Sequence, residues 1–153
     1  MRKVFLFISV IVLCLNANAQ INETSNDLAL IEKTINLYIE GQATGDSTMV
    51  GSSFHNTWQL KYFADNEINV VTKSKYITGF KKHDRPKNWS ARTVFVDITN
   101  NVAIAKVEIS TATLLFVDYF HFMKTNQGWL IVDKISARTP HKLVEPAAPK
   151  AKS

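Results

Sequence analysis

The stretch from Val117 to Ile135, with the sequence VDYFHFMKTNQGWLIVDKI, decides the fold of this chain. Both halves are rich in aromatic and β-branched residues, and the polar segment from Thr125 to Gly128 between them is typical of a tight turn. The pattern predicts two antiparallel strands, at about residues 114–124 and 129–137. Because an acid and a histidine stand among the aromatic residues, we expect the sheet to wall a pocket rather than only close a core.

Two further strands are predicted upstream of this hairpin. Apolar residues recur at Val94, Val96 and Ile98, which is the period of a strand with one buried face. An Asn-Asn pair at positions 100–101 indicates a turn, and the next strand is expected to cover residues 102–111. The four strands together form an antiparallel meander.

Helical periods dominate the first half of the chain. A first helix is expected to begin within the Thr-Ser-Asn segment at residues 24–26, whose side chains can cap a helix. Its apolar stripe consists of Leu28, Ile31, Ile35, Tyr38 and Ile39. A second, short helix is predicted from a cap at Asp46 or Ser47 to about His55. The remaining predicted elements are an extended run at Gln59–Phe63, a strand at Ile68–Thr72, a helix at Lys75–Lys82 capped by Ser74, and a loop at His83–Asn88.

This order of elements indicates an α+β domain. The predicted architecture is a cone-shaped, curved antiparallel sheet wrapped around three N-terminal helices. A sheet that curls around a long helix leaves a wide end that the helix fills only in part. That end is a natural cavity.

The first 19 residues have the pattern of a secretory signal peptide. Arg2 and Lys3 precede an apolar run from Val4 to Leu15, and Ala17-Asn18-Ala19 marks a cleavage site before Gln20. The apolar run is too short for a membrane span, which needs about 20 residues. We therefore predict an exported protein, periplasmic or secreted, with no membrane span after cleavage.

The rest of the chain divides into a folded domain at residues 24–142 and a tail at residues 143–153. The tail has no apolar period and is predicted to be disordered. Hydrophobic residues make up 46% of the chain, which suffices for a core in a single domain of this size. Cys14 is the only cysteine and lies in the predicted signal peptide, so the mature chain is expected to form no disulfide.

The charge pattern argues against nucleic-acid binding. Loss of Arg2 and Lys3 on cleavage lowers the formal net charge from +5 to +3. Many of the basic residues that remain lie within residues 73–87 and near the C-terminus, which we interpret as a solvated loop and a solubilising tail rather than a nucleic-acid face. The sequence also has no HExxH, no phosphate-binding glycine loop and no GxSxG elbow. We therefore expect no nucleic-acid partner, no metal site and no cofactor.

Six short motifs span nearly the whole mature chain. They are Tyr38-Ile39-Glu40-Gly41, Gly45-Asp46, Phe54-His55, Val107-Glu108, Asp118-Tyr119-Phe120 and Gly128-Trp129-Leu130-Ile131-Val132-Asp133-Lys134. In this order the set resembles the nuclear transport factor 2-like superfamily, which includes SnoaL-like cyclases, ketosteroid isomerases and scytalone dehydratase. More narrowly, it resembles bacterial proteins labelled putative lumazine-binding. The resemblance implies the cone-shaped fold, but the superfamily hosts enzymes, binding domains and assembly modules alike.

Two residues are candidate catalytic bases. The imidazole of His55 can face the cavity mouth and exchange a proton, or it can hydrogen-bond the backbone at a helix end. Asp118 can act as a general base among aromatic rings, or it can pair with a neighbour such as Lys134 or Lys106. The candidate ligand-binding residues are Tyr38, His55, Trp58, Tyr62, Tyr119 and His121, although aromatic residues are also common in cores.

Strand alternation leaves the orientation of the central strand open. Asp118 shares one face with Phe116, Phe120 and Phe122, and Tyr119 shares the other with Val117 and His121. If the first set faces the cavity, a carboxylate stands among phenyl rings. If the second set does, a phenol and an imidazole line the pocket instead.

The outer face of the sheet is a predicted interface. Lys106 and Glu108 are expected to be exposed on it. Ile104, Phe116 and Phe120 are expected to make it apolar, which predicts a homodimer because broad exposed apolar faces seldom stay uncovered. The superfamily that the chain resembles often dimerises in this way.

Three functions remain open at this point. The one we favour is a secreted or periplasmic protein that binds a small apolar or aromatic molecule without turning it over. The second is an isomerase, dehydratase or cyclase in which His55 or Asp118 removes a proton from carbon and Tyr38 or Tyr119 binds the enolate oxygen. The third is an interaction module that uses its sheet face.

Overall fold

The computed structural model describes residues 25–141, and the first helix, α1, covers residues 25–44 of that range. The elements that follow are α2 (Ser47–Ser53), β1 (Phe54–Ala64), β2 (Glu67–Thr72), α3 (Lys73–Ile77), β3 (Ser90–Thr99), β4 (Val102–Ser110), β5 (Leu114–Thr125) and β6 (Gly128–Pro140). The predicted signal peptide, residues 1–19, and the predicted tail, residues 143–153, lie outside the described residues.

The second helix has the predicted start and an earlier end. The Asp46 carboxylate caps it by accepting hydrogen bonds from the backbone N–H groups of Thr48 and Met49, at 2.9 and 3.0 Å. The helix ends at Ser53, so the prediction that it extends to His55 is wrong. That residue already belongs to β1, where pairing with other strands supplies the backbone hydrogen bonds.

The third helix is shorter than predicted and begins earlier. It covers Lys73–Ile77 rather than Lys75–Lys82, and Thr72 caps it instead of Ser74. The helix therefore begins directly where β2 ends. Residues 78–89 contain turns but no helix or strand, in agreement with the predicted loop.

The six strands form one open sheet in the order β2-β1-β6-β5-β4-β3. The strands β3 to β6 form the predicted antiparallel meander, and β1 and β2 form a second antiparallel hairpin. β1 lies parallel to β6, so the sheet is mixed rather than wholly antiparallel. The register shifts within the β1–β6, β3–β4 and β5–β6 pairs, and such irregularities bend a sheet.

Helix α1 packs on one face of the sheet, here called the inner face. Ile31, Ile35 and Tyr38 of α1 are at most 1% exposed and share one core with side chains of the sheet. The sheet residues in that core are Phe54, Trp58, Leu60, Ala103, Ala105, Val107, Ile109, Phe120, Phe122, Trp129 and Ile131. Leu28, predicted on the same helical stripe, is 38% exposed. The predicted α+β cone, a curved sheet around its helices, is confirmed.

The orientation of β5 is now defined. Asp118, Phe120 and Phe122 are buried on the inner face, whereas Tyr119 is exposed on the opposite, outer face. The prediction that Phe116 and Phe120 cover the outer face is wrong, because Phe120 is fully buried and Phe116 packs against the core. Since side chains alternate along a strand, one buried position fixes the orientation of its neighbours.

The outer face nevertheless carries exposed apolar side chains. They are Val102, Ile104, Tyr119, Met123 and Ile135, each between 41% and 49% exposed. Lys106 and Glu108 lie on this face as predicted, with Lys106 Nζ 3.3 Å from Glu108 Oε1. Arg92 of β3 also pairs with Glu108, and its guanidinium holds the pKa of that carboxyl below the usual value.

The buried residue Asp27 connects the start of α1 to the β5–β6 hairpin through hydrogen bonds. Asp27 is 4% exposed, and its carboxylate accepts hydrogen bonds from Nε1 of Trp129 at 2.9 Å and from Nζ of Lys124 at 3.0 Å. These hydrogen bonds, first that of Trp129 and then that of Lys124, lower the pKa of Asp27 although burial raises it.

We expect Asp27→Asn to lower the free energy of unfolding at pH 7 by about 1.5–3 kcal/mol, the usual contribution of hydrogen bonds to a charged group. Because folding lowers the pKa of Asp27 below the unfolded value of about 3.9, this stabilisation is complete above that pH and is lost as the pH falls through the folded-state pKa. Urea unfolding at pH 7 and pH 3 measures the effect. The difference between wild type and variant should shrink at pH 3, while the exposed control Asp97→Asn should change little at either pH. An equal difference in stability between wild type and Asp27→Asn at both pH values would contradict a stabilising role for the ionised Asp27 carboxylate.

Candidate functional site

A polar cluster lies buried between α1 and the inner face of the sheet. Asp118 of β5 and Lys134 of β6 are 1% and 3% exposed, and Lys134 Nζ lies 3.1 Å from Asp118 Oδ2. The Tyr38 hydroxyl donates a hydrogen bond to the same oxygen at 2.8 Å, and the Ser136 hydroxyl donates to Oδ1 at 2.6 Å. Donors from the protein itself therefore occupy both oxygens of the carboxylate.

The Lys134 ammonium group lies between two tyrosines. Its Nζ donates to the hydroxyls of Tyr38 and Tyr76 at 2.8 and 3.3 Å and lies 5.1 Å from the centroid of each ring. Together with Asp118, these partners use all three hydrogens of the ammonium group. Gln42 of α1 also reaches the Tyr76 hydroxyl, with its Nε2 at 2.6 Å. The cluster thus ties α1, α3, β5 and β6 together.

Burial and charge oppose each other at this cluster. Burial disfavours the ammonium and lowers the pKa of Lys134, but the Asp118 charge and the Tyr76 hydroxyl outweigh it, so the pKa is raised above its ordinary value. Burial, followed by the Asp118 charge, raises the pKa of Tyr38 well above its ordinary value. At neutral pH the site therefore holds a charged lysine and a protonated tyrosine.

The geometry distinguishes between the two interpretations of Asp118. Its carboxylate lies within hydrogen-bond reach of Tyr38, as a tyrosine-assisted general base requires. The carboxylate is nevertheless sealed from solvent and paired with Lys134, while Lys106 pairs with Glu108 instead. A general base needs an oxygen that can reach the substrate proton, and Asp118 exposes none in this arrangement.

An aromatic cavity, here called the inner cavity, opens on the inner face beside the polar cluster. Its volume is about 440 Å³, and it is lined by Leu60, Tyr62, Phe63, Val71, Phe116, Ser136, Ala137 and Arg138. Mostly aliphatic and aromatic walls with a few polar groups are typical of small-molecule sites. Ser136 belongs to both the polar cluster and the inner cavity, because it lines the cavity while its hydroxyl donates to Asp118.

Of the predicted ligand-binding residues, Tyr62 lies in the inner cavity, where the guanidinium carbon of Arg138 is 5.9 Å from its ring centroid. Tyr38 lies in the polar cluster. Trp58 is 1% exposed and stacks on Phe54 with ring centroids 3.9 Å apart, so it belongs to the core. Within the described residues, the indole N–H of Trp58 is buried without a hydrogen-bond partner.

The other three candidates lie away from the inner cavity. His55 is partly buried at the start of β1, with its Nδ1 2.8 Å from Thr57 Oγ1, a local contact rather than one with a tyrosine hydroxyl. Tyr119 and His121 lie on the outer face, where His121 Nδ1 is 3.7 Å from Asp133. The inward orientation of β5 at Asp118 therefore excludes the alternative in which Tyr119 and His121 line the inner cavity.

Half of the polar cluster, namely Ser136, Tyr76 and Gln42, was not named by the sequence-based prediction, whereas the predicted pairing of Asp118 with Lys134 is present. Tyr76 and Gln42 were not candidates, and Lys134 appeared only as a possible salt-bridge partner. A usable signal is present on β6, where Lys134, Ser136 and Arg138 recur at every second residue and so share a face. No comparable sequence signal marks Tyr76 or Gln42, because their roles depend on how the helices pack.

The described residues hold no group of three or more His, Cys, Asp or Glu side chains placed to bind a metal ion. In the same part of the chain, no helix has the length and apolar character needed to cross a membrane.

The fold and the inner cavity together define a class of protein, the nuclear transport factor 2-like α+β cone. A nuclear transport factor 2-like protein of unknown function from Shewanella baltica has a TM-score of 0.70 and 20% identity, covering 76% of this chain and 97% of that one. A second such protein, from Silicibacter pomeroyi, has a TM-score of 0.68 and 18% identity, covering 76% and 98%. A ketosteroid isomerase-like protein from Erwinia carotovora atroseptica has a TM-score of 0.57 and 13% identity, covering 73% and 95%. Identities this low show the fold alone.

The family is more specific than the fold. The family model described as "Putative lumazine-binding" matches residues 26–136, and the chain belongs to this family. No curated protein matches the sequence. The resemblance predicted from the six sequence motifs is confirmed for both the superfamily and the family.

Proposed function

We propose that this chain is an exported protein that binds a small, flat, mostly apolar molecule in the inner cavity without transforming it. The observation that carries the proposal is the cavity itself, about 440 Å³ in volume with an aromatic and aliphatic lining. Cavities of about 300–1,000 Å³ with such linings are the usual sites of small ligands. The family description supports a flat aromatic ligand, because it names lumazine, a flat heteroaromatic compound.

The sealed carboxylate favours binding over catalysis. In the isomerase, dehydratase or cyclase alternative, Asp118 or His55 must open into the cavity. Lys134, Tyr38 and Ser136 instead occupy the Asp118 oxygens, and His55 contacts Thr57. The ketosteroid isomerase-like structure supports the enzyme alternative only through its fold, which does not determine an activity.

The polar cluster also gives the inner cavity a rigid floor. Ser136 is held by its hydrogen bond to Asp118, and that carboxylate is fixed in turn by Lys134 and Tyr38. A wall that is already ordered before binding reduces the entropy cost of ordering it around a ligand. This suits a binding protein whose site is largely preformed.

Filling the inner cavity tests the proposal. Val71 lies opposite Leu60 on the inner face and is half-buried at the cavity wall. We expect Val71→Trp to weaken binding of the uncharged aromatic probe N-phenyl-1-naphthylamine by about tenfold or more, because the indole takes up volume that the probe needs. A fluorescence titration measures the affinity, and circular dichroism checks that the variant is folded.

The matched control is Val94→Trp, which places the same side chain at an exposed position of β3, where Val94 is 42% exposed. It should leave the affinity for the probe within about twofold of wild type, since surface substitutions away from a site have small effects. Equal affinities for wild type and Val71→Trp would contradict the inner cavity as the binding site.

We also propose that a second copy of the chain covers the outer face. Val102, Ile104 and Met123 surround a hollow of about 370 Å³ there, and exposed apolar surfaces of this kind usually mark interaction sites. Some charges on the same face pair within the chain, as in Lys61 with Asp133, so apolar side chains make up much of the surface left for a partner. Native mass spectrometry at micromolar concentration should give a dimer mass, and a monomer alone would contradict this assignment.

The export part of the proposal rests on the basic and apolar pattern of residues 1–19, which lie outside the described residues. It expects a mature chain that begins at Gln20. The intact mass of the protein recovered from the cell envelope or medium tests it.

A further inference from the structure

The charges around the inner cavity are unbalanced. Arg138 is the only charged residue among the eight described residues that line it, and none of the eight is acidic. The other seven lining residues are neutral, and most are aliphatic or aromatic. Among the described residues, a ligand in this cavity therefore meets one positive charge and no negative charge.

Arg138 differs from the other two arginines in the described part of the chain. Arg85 pairs with Glu40, and Arg92 pairs with Glu108. Arg138 has no carboxylate partner among residues 25–141. Its guanidinium instead lies over the ring of Tyr62, 5.9 Å from the centroid. Stacking of this kind restrains the planar guanidinium and leaves its N–H groups free to bind an acceptor.

The floor of the inner cavity has the opposite hydrogen-bonding character. The Ser136 hydroxyl donates its hydrogen to Asp118 at 2.6 Å. Only the lone pairs of this hydroxyl therefore remain to accept a hydrogen bond from a ligand. Leu60 and Phe116 provide the apolar walls. The cavity therefore offers hydrogen-bond donors and a positive charge at Arg138, apolar surface in the middle and an acceptor at Ser136.

We propose that the ligand is a flat aromatic anion, whose carboxylate, sulfonate or phosphate group binds Arg138 while its ring system lies against Tyr62 and Phe116. The inference rests on the proposed binding function and narrows its ligand class. A guanidinium binds oxyanions such as carboxylate and phosphate through two parallel hydrogen bonds, which are stronger than neutral ones. An arginine at an aromatic cavity, with no carboxylate partner in the described part of the chain, is the arrangement that such a ligand needs.

Two probes with the same ring system test this inference. The sulfonate 1-anilinonaphthalene-8-sulfonate carries an anionic group, and N-phenyl-1-naphthylamine lacks it. We expect Arg138→Gln to weaken binding of the sulfonate by about tenfold or more and binding of the uncharged probe by less than about twofold, because the variant removes a charged hydrogen-bond donor and keeps the apolar walls. Only the fluorescence that Val71→Trp abolishes is counted, which restricts the signal to the inner cavity.

The matched control is Arg92→Gln, which removes the same charge from the exposed edge of the sheet. It should leave both affinities within about twofold, since screened surface charges contribute little at this distance. If Arg138→Gln weakens the binding of both probes equally, or of neither, the anion site at Arg138 is contradicted. The inner cavity as a binding site is not affected by that result. If Val71→Trp has no effect on either probe, the proposed function itself fails, so the two failures are distinguishable.

Discussion

Lys134→Met should lower the free energy of unfolding by about 3–5 kcal/mol, the typical cost of removing one partner from a buried ion pair. The substitution leaves the Asp118 carboxylate 1% exposed and without its cation. Tyr38 and Tyr76 lose the same donor, so the link between α1, α3 and the sheet weakens as well. Chemical denaturation of wild type and variant at pH 7 measures the loss.

A matched pair on the outer face separates burial from charge. Lys61 and Asp133 lie on neighbouring strands at 2.8 Å, but their side chains are 39% and 24% exposed. Lys61→Met should cost at most about 1 kcal/mol, because solvent screens an exposed pair. Adding Asp118→Asn to Lys134→Met should recover part of the lost stability, since it removes the buried carboxylate charge that has no cation partner in the single variant. A loss of similar size for Lys61→Met and Lys134→Met would contradict the structural role of the buried cluster.

Phe120→Ala should be similarly damaging, with a loss of about 3–5 kcal/mol, because it leaves a void in a packed core. Phe120 is fully buried, and its ring meets Tyr38 edge-on with centroids 4.9 Å apart and Phe122 at 6.0 Å. The void would open between α1 and the sheet, where the two layers are in contact. Urea denaturation followed by circular dichroism gives the change in stability.

The neighbouring residue on the same strand supplies the control. Tyr119 is 43% exposed on the outer face, so Tyr119→Ala should change stability by about 1 kcal/mol or less. Both variants remove an aromatic ring, and they differ mainly in the face from which it is removed. A larger loss for Tyr119→Ala than for Phe120→Ala would reverse the assignment of inner and outer faces.

Local signals in the sequence predicted most of the fold. The period-two pattern at Val96 and Ile98 located β3, and the cap at Asp46 located the start of α2, because both signals depend on near neighbours. The end of α2 and the length of α3 were predicted less well. Those boundaries depend on pairing between distant strands, as in the parallel contact of β1 with β6, which carries no local signature.

The site could be predicted only in part, for a related reason. Alternation along β5 separated Asp118 from Tyr119, but the choice of the inner set depends on where α1 packs. Lysine is almost never fully buried, so sequence preference places Lys134 outside the core. Only the convergence of Asp118, Tyr38 and Tyr76 on its ammonium group makes the buried position stable, and that convergence appears only in three dimensions.

Native mass spectrometry of the mature chain, purified without unfolding, tests the central claim most directly. We expect wild type to carry one small molecule per chain into the gas phase and Val71→Trp, with its filled inner cavity, to carry none. The same spectrum reports whether the chain begins at Gln20 and whether two copies associate. A wild-type chain that retains no small molecule, or a Val71→Trp variant that retains as much as wild type, would contradict a ligand site on the inner face of the sheet.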